Sequence, residues 1–323
     1  MERECVAYVR DLARDNFPGA RLPVDHSRYG GSKSETAVMT PAQAFNEYQR
    51  ERWNGVDGEF WSHQQDRLDR TLAPVTGPLL EFAAPTIGST VIDVGCGCGA
   101  TTIELARAAG PSGHVVGLDI SRPMLALATE RLRECTNVSF ILGDAADLSV
   151  RDLGAELIIS RFGIMFFGDP VGAFANLRTG LVPGGRVRFA CWRPINENPW
   201  LQIPLNAVYE HAPRLPKPDP EEPGPFAFAD TARVTRILTA AGFTAPSFYP
   251  LDIQLDIAAG GTIEDAVSQS SEMGPAKRAL TDQPDDIRAA AMESIRRALI
   301  PYSSATGVKL NGAVWLVAAD RSG

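Results

Sequence analysis

Apolar residues in this chain gather into short runs, most of them closed by an acid, a glycine or a turn, with stretches of helical spacing between them. Val91, Ile92 and Val94 form one such run, with Asp93 inside it and Gly95, Gly97 and Gly99 directly after it. The segment from Ala100 to Arg107 then takes up a helical pattern. This predicts a strand, a tight glycine turn and a helix start. His114 to Asp119, Asn137 to Ala145 and Leu157 to Phe162 repeat the apolar run, each with an acid or a polar residue towards its end. Ser121 reads as the N-cap of a helix with Pro123 in its first turn, and Asp169-Pro170 opens another that runs through Leu177. Strands and helices therefore alternate, which predicts a parallel sheet with acids along one rim.

The remainder is less regular. Leu68 to Ala84 reads as helix interrupted near Pro74 and Gly77-Pro78. Leu181 to Val187 is a turn into a fifth strand, and its glycines are structural. A proline-rich insertion from Pro194 to Pro225 holds one helix around Trp200 to Tyr209 and a loop from Pro213. Phe228 to Ala241 reads as helix ended by Gly242, and Ser247 to Leu255 as a sixth strand. Two helices, Ile263 to Met273 and Asp285 to Ile300, precede a last strand from Gly312 to Ala319. Residues 1–39 are turn-rich and polar, and are expected to be a poorly ordered extension.

The glycine turn carries the first candidate chemistry. Glycine permits backbone angles that other residues avoid, and without a Cβ it lets a ligand touch the main chain. A turn at a helix N-terminus and the carboxyl end of a strand is where open α/β sheets bind cofactors. Nicotinamide-binding turns usually read Gly-x-Gly-x-x-Gly, with the pyrophosphate on the helix end. Here the spacing is Gly-x-Gly-x-Gly, and Asp93 precedes it. A carboxylate there suits a ligand with an amino group better than a pyrophosphate. Asp119 lies about twenty residues on, where an acid can hold both ribose hydroxyls. Asp144, beside the backbone N–H of Ala145, can read the amino edge of adenine.

With these residues in place, the chain resembles the class I S-adenosylmethionine-dependent methyltransferases. Asp93 to Gly99 match the family's glycine motif, Asp119 its ribose acid and Asp144-Ala145 its adenine contact. The segments Ser160 to Phe167, Cys191 to Pro194 and Asn198 to Trp200 are similar to the bacterial small-molecule subgroup that includes ubiquinone/menaquinone C-methyltransferases. The resemblance implies an α/β, Rossmann-like fold. It has a seven-stranded, mostly parallel sheet with helices on both faces, an antiparallel last strand and helical cap elements. It places a methyltransferase domain over residues 40–323. The core lies at about 85–192, with caps from about 40–65, 194–228 and 258–303. S-adenosyl-L-methionine is the implied cofactor, held by Asp93, Gly95, Gly97, Gly99, Asp119, Ile120, Asp144, Ala145 and Ser160.

The acceptor is harder to read. Related enzymes lay the segment around Trp53 and Trp61 over the cofactor as a lid. Trp53, Trp61, Phe166, Phe167, Trp192 and Trp200 suggest an apolar or aromatic acceptor, equally well explained as core. His63 is the candidate general base for O-methylation, with a surface or capping role as its alternative. DNA and RNA amino-methyltransferases often carry Asp/Asn-Pro-Pro-Tyr/Phe where this chain has Ser160-Arg161-Phe162-Gly163, which argues against methylation of bases. The competing readings are a nicotinamide-dependent oxidoreductase, a non-catalytic S-adenosylmethionine-binding module, and a relative that uses the sulfonium for other chemistry.

Composition narrows the partners. The chain has 323 residues, 44% hydrophobic and 22% charged, enough for a sizeable core. A net charge of -8 with no basic patch excludes nucleic acid as the expected partner. No apolar run is long enough to span a bilayer, and the charged N-terminus does not read as a signal peptide. The five scattered cysteines read as reduced, so a cytoplasmic enzyme is expected. Cys96 and Cys98 lack a matching pair and read as small residues in a turn, so no metal is expected. Oligomeric state is not legible.

Overall fold

The computed structural model of the chain describes residues 40–217, 219 and 221–322. The expected N-terminal extension lies outside the described residues. Seven strands build one sheet: β1 (Thr90–Val94), β2 (His114–Asp119), β3 (Val138–Leu142), β4 (Ala155–Arg161), β5 (Leu181–Trp192), β6 (Ser247–Asp256) and β7 (Gly307–Asp320). Their order across the sheet is β3-β2-β1-β4-β5-β7-β6. The first five run parallel, and β7 is antiparallel to both its neighbours. A two-residue strand, Ser303–Ser304, pairs with the start of β7.

The inner strands carry apolar residues on both faces because helices cover both faces of a parallel sheet. In β1 and β4, Val91, Ile92, Leu157, Ile158 and Ile159 are all buried. Chain order reverses between β1 and β4, so the carboxyl ends of these two strands open a crevice.

Helices α1 (Pro41–Asn54), α2 (Val56–His63) and α3 (Gln65–Ala83) precede the sheet. The α3 helix runs unbroken through Pro74 and Pro78, contrary to the interruption expected from sequence. Each proline removes one backbone donor. Leu68, Leu72, Val75, Leu79 and Ala83 nevertheless form a continuous buried stripe, and tertiary burial of that stripe outweighs the local preference. Helices α4 (Ala100–Ala109), α5 (Arg122–Arg131) and α6 (Pro170–Thr179) alternate with the central strands. Ser121 caps α5 and Asp169 caps α6 through their side-chain oxygens. The pairing of β4 with β5 jumps from Ala155↔Leu181 to Leu157↔Arg186, leaving the predicted glycine turn as a loop-out within β5.

Beyond β5 come α7 (Pro199–Val208) and α8 (Thr231–Ala240). Between β6 and β7 lie α9 (Ile263–Glu272), α10 (Gly274–Leu280) and α11 (Asp285–Leu299). The α10 helix went unread in the sequence, and β7 begins earlier than expected. A seven-residue helix opened by Gly274-Pro275 offers little periodic pattern, and Gly307 hides the strand start. Helices α7, α9, α10 and α11 pack together as a cap. Among the described residues no helix is long and apolar enough to cross a membrane.

Candidate functional site

The crevice is built where β1 and β4 end. Gly95 and Gly163 meet there backbone to backbone. A Cβ on Gly95 would sit 2.6 Å from the Gly163 Cα, and one on Gly163 would sit 2.7 Å from the Gly95 Cα. Gly95, Gly97 and Gly99 all have positive φ, at 67°, 55° and 83°. The turn is tied to β2, the Gly95 and Cys96 N–H groups donating to the Leu118 carbonyl at 2.8 and 3.2 Å before α4 begins. The Ser160 hydroxyl staples the same junction, donating to the Val94 carbonyl at 2.7 Å and accepting from the Gly163 N–H at 3.2 Å.

Three acids lie along the rim. Asp93 is almost wholly buried, and its Oδ2 accepts from the Thr102 hydroxyl on α4 at 2.7 Å. Its Oδ1 is buried without a hydrogen-bond partner. Burial pushes the carboxyl up to about 6, opposed by the Thr102 hydroxyl and by Arg161. Asp119 accepts from the Gly97 N–H at 2.7 Å and the Ser121 N–H at 2.8 Å. Burial raises its pKa too, against the pull of those backbone donors. Asp144 accepts from the Ala146 N–H at 2.9 Å, and burial is again the main cause of its raised pKa. Ile120, half-buried next to Asp119, offers its carbonyl to Asn54 at 2.9 Å. Ala145 is buried and its carbonyl accepts from Asn176.

The first two helices lie across this rim. Asn46 on α1 accepts from the Gly168 N–H, beyond the end of β4, at 3.0 Å. At the other end of α1, Asn54 bonds the Ile120 carbonyl and the Arg122 N–H, while Ser121 donates to the Trp53 carbonyl at 2.6 Å. Arg50 reaches Asp144 at 3.6 Å. Thus α1 spans from the β4 side to the acids of β2 and β3. Gly58 permits the tight turn into α2, since a Cβ there would overlap the Trp53 carbonyl. Asp57 ties this lid to the cap through Lys277 on α10 at 3.1 Å.

Aromatic side chains form two groups. Under the lid, Trp53 meets Trp61 and Phe166 edge-on at 6.0 and 6.1 Å. At the ends of β4 and β5, Phe162 stacks on Trp192 at 4.2 Å, and Trp192 leans on Trp200 at 5.1 Å. Phe162 holds a φ of 71°, rare for a bulky residue. Phe167 belongs elsewhere, packing edge-on against Phe174 in the central core.

Comparison with known proteins shows what the segment around this crevice is similar to. Residues 91–185 match the family model described as a methyltransferase domain. That stretch is similar to methyltransferase domains. The chain is 39% identical over 98 residues to a demethylmenaquinone methyltransferase of Staphylococcus carnosus, covering 30% of this chain and 41% of that one. It is 36% identical over 100 residues to one from Staphylococcus aureus, with coverages of 31% and 42%. The chain thus spans about two fifths of the length of the curated relatives it matches. Among solved structures, the YcgJ protein of Bacillus subtilis is 18% identical with a TM-score of 0.49, over 77% of this chain and 98% of that one. A putative methyltransferase from Bacillus halodurans is 17% identical with a TM-score of 0.49, over 77% and 99%.

Asp93, Gly95, Gly97, Gly99, Asp119, Ile120, Asp144, Ala145 and Ser160 lie at or just beyond the carboxyl ends of β1 to β4. His63 sits exposed at the end of α2, its Nδ1 within 2.7 Å of the Glu59 carbonyl. Cys96 and Cys98 are buried in the turn. Among the described residues no group of three or more His, Cys, Asp or Glu side chains is arranged to hold a metal. Sequence reasoning missed Asn46, Asn54, Gly58 and Thr102. Asn54 and Gly58 had a faint signal, the break in helical pattern between Trp53 and Glu59. Asn46 and Thr102 act through partners more than eight residues away, which no local pattern reveals.

Proposed function

We propose that this chain transfers a methyl group from S-adenosylmethionine to a small apolar or aromatic acceptor, at carbon or oxygen. The observation that carries the donor is the buried, unpartnered Oδ1 of Asp93 beside the Cβ-free turn. Leaving a buried acceptor unmade costs about 1–3 kcal/mol, which a ligand amino group would offset. The turn leaves no room for side chains: a Cβ on Gly97 would sit 2.8 Å from Met124 Cε. Asp119, its two bonded backbone donors notwithstanding, keeps lone pairs for two ribose hydroxyls. In this reading Asp144 takes the adenine amino edge.

When bound, the sulfonium supplies an activated methyl group, so the protein's task is to align and desolvate. Alignment alone can lower a barrier by about 7–11 kcal/mol in favourable cases. The lid excludes water, and the aromatic groups around Trp53 and Trp192 offer apolar walls. His63 is engaged with its own helix, and the proposal assigns it no proton transfer. The demethylmenaquinone methyltransferases that this chain resembles support an activated aromatic carbon as acceptor.

Calorimetric titration with S-adenosylmethionine, S-adenosylhomocysteine and NADH tests the donor. Saturable binding of both sulfur ligands and none of NADH is expected. NADH binding alone would overturn the reading. Mass-shift screening of quinol and phenol acceptors then tests the transfer.

Asp93 gives this reading a pH signature. Its folded pKa lies above the ordinary carboxylate value, so its contribution to the free protein's stability is present below about pH 4. That contribution is lost as pH rises through about 6. A ligand ammonium favours the ionised form. Donor affinity in the wild type is therefore expected to weaken as pH falls from 7 to 5. Asp93→Asn should bind more weakly at pH 7 and lose most of that slope. Parallel slopes in the two proteins would remove Asp93 from amino-group recognition.

A further inference from the structure

Arg161 closes β4 and has no role in the reading above. Its position follows from strand register. Asp93 pairs with Ile159 across the parallel β1–β4 ladder. Paired residues share a face, and Arg161 is two residues beyond Ile159, so it lies on the same face as Asp93, one pleat nearer the crevice. The two charges are close enough to feel each other, Arg161 lowering the Asp93 pKa. They nonetheless form no ion pair within 4 Å among the described residues.

Other candidate partners are already committed. Arg161 donates to the Thr76 hydroxyl on α3 at 2.7 Å. Asp69, the acid with the largest influence on Arg161, is held by Arg131 at 2.6 Å. Asp93 gives one oxygen to Thr102 and leaves the other unmet. Burial drives the Arg161 pKa down from its usual value. A desolvated guanidinium with only a hydroxyl partner, and a buried carboxylate with an open oxygen, are each costly alone. A direct ion pair would relieve both, yet the Asp93 carboxylate is turned to Thr102 and the Arg161 guanidinium to Thr76.

A zwitterion between them would satisfy both. An α-amino acid carries its ammonium and carboxylate on one carbon, so its two receptors must be neighbours of opposite sign. We propose that Arg161 binds the α-carboxylate of the donor's methionine portion, with Asp93 taking the ammonium. This rests on S-adenosylmethionine being the donor. Arg161 suits the task because its planar fork meets a carboxylate with two parallel hydrogen bonds. Thr76, itself within 3.4 Å of the Leu72 carbonyl, orients that fork.

The test compares two ligands. S-adenosylhomocysteine carries the amino-acid tail, while 5′-methylthioadenosine keeps adenine, ribose and sulfur but lacks it. Both are titrated into wild type, Arg161→Met, Arg161→Lys and Thr76→Val. Arg161→Met should weaken S-adenosylhomocysteine binding by about 10- to 100-fold, the loss of a charge-assisted contact. It should leave methylthioadenosine binding within about twofold of the unmodified protein. Arg161→Lys should recover part of the loss, and Thr76→Val should show a smaller loss confined to the tailed ligand. Equal weakening of both ligands would make Arg161 a structural residue and overturn the proposal. Unchanged binding of both would overturn it as well. Failure of the wild type to bind either ligand would instead sink the donor reading itself.

Discussion

Asp119→Ala is expected to weaken binding of S-adenosylmethionine and S-adenosylhomocysteine by about 100-fold or more. The estimate follows from the bonds lost. Hydrogen bonds to a charged group contribute about 1.5–3 kcal/mol each, and the ribose would supply two. The variant also releases the glycine turn, because the Asp119 carboxylate anchors the Gly97 and Ser121 N–H groups at 2.7 and 2.8 Å. In the proposed function, one side chain thus both shapes the turn and holds the ribose. The stability of the free protein is a poor reporter here. Removing a buried acid relieves desolvation, while losing two backbone contacts costs stability, and the two oppose. Calorimetric affinity is the measurement that decides. A dissociation constant unchanged in Asp119→Ala would remove the residue from ribose recognition.

The second large effect is expected at the β1–β4 junction. Gly95→Ala places a methyl group 2.6 Å from the Gly163 Cα and at a φ of 67°. The contact is with backbone, which cannot rotate away. Overpacking costs about 1–3 kcal/mol, and a left-handed angle at a residue with a Cβ adds about 1–2 kcal/mol. Two controls separate these causes. Gly163→Ala meets the same contact from the other side, at 2.7 Å, without a positive φ. Gly154→Ala has a φ of 59° and nothing within 4 Å of the added carbon. Denaturant unfolding should therefore rank the losses as Gly95→Ala largest, then Gly163→Ala, then Gly154→Ala. Only the first two should also weaken donor binding, since only they push β4 away from β1. Equal losses at Gly95 and Gly154 would show that backbone strain alone governs the turn.

These two predictions draw on different kinds of information. The place of Asp119 at the end of an apolar run, about twenty residues after the glycine turn, was legible. The Gly95–Gly163 contact was not. Gly163 follows Phe162 in a loop after β4, and nothing in that stretch says which backbone it must meet. The aromatic residues show the same divide. Phe166 and Phe167 are neighbours in sequence, yet Phe166 meets Trp53 while Phe167 turns into the core against Phe174. Side chains one residue apart point in different directions, and their destinations depend on what packs there.

The sequence by itself determined the alternation of strands and helices, the three rim acids and the glycine turn. These are local properties, written in hydrophobic period, capping residues and the conformational freedom of glycine. The tertiary structure alone decided that α3 runs through two prolines, because its stripe of buried residues is stabilised by a sheet far away in sequence. It alone decided that α1 lies across the rim, where Asn46 and Asn54 meet backbone groups 122 and 66 residues distant. It alone set Arg161 and Asp93 on one face of adjacent strands without contact. Such features are fixed by strand register and by long-range packing, which a linear pattern of residues does not encode one position at a time.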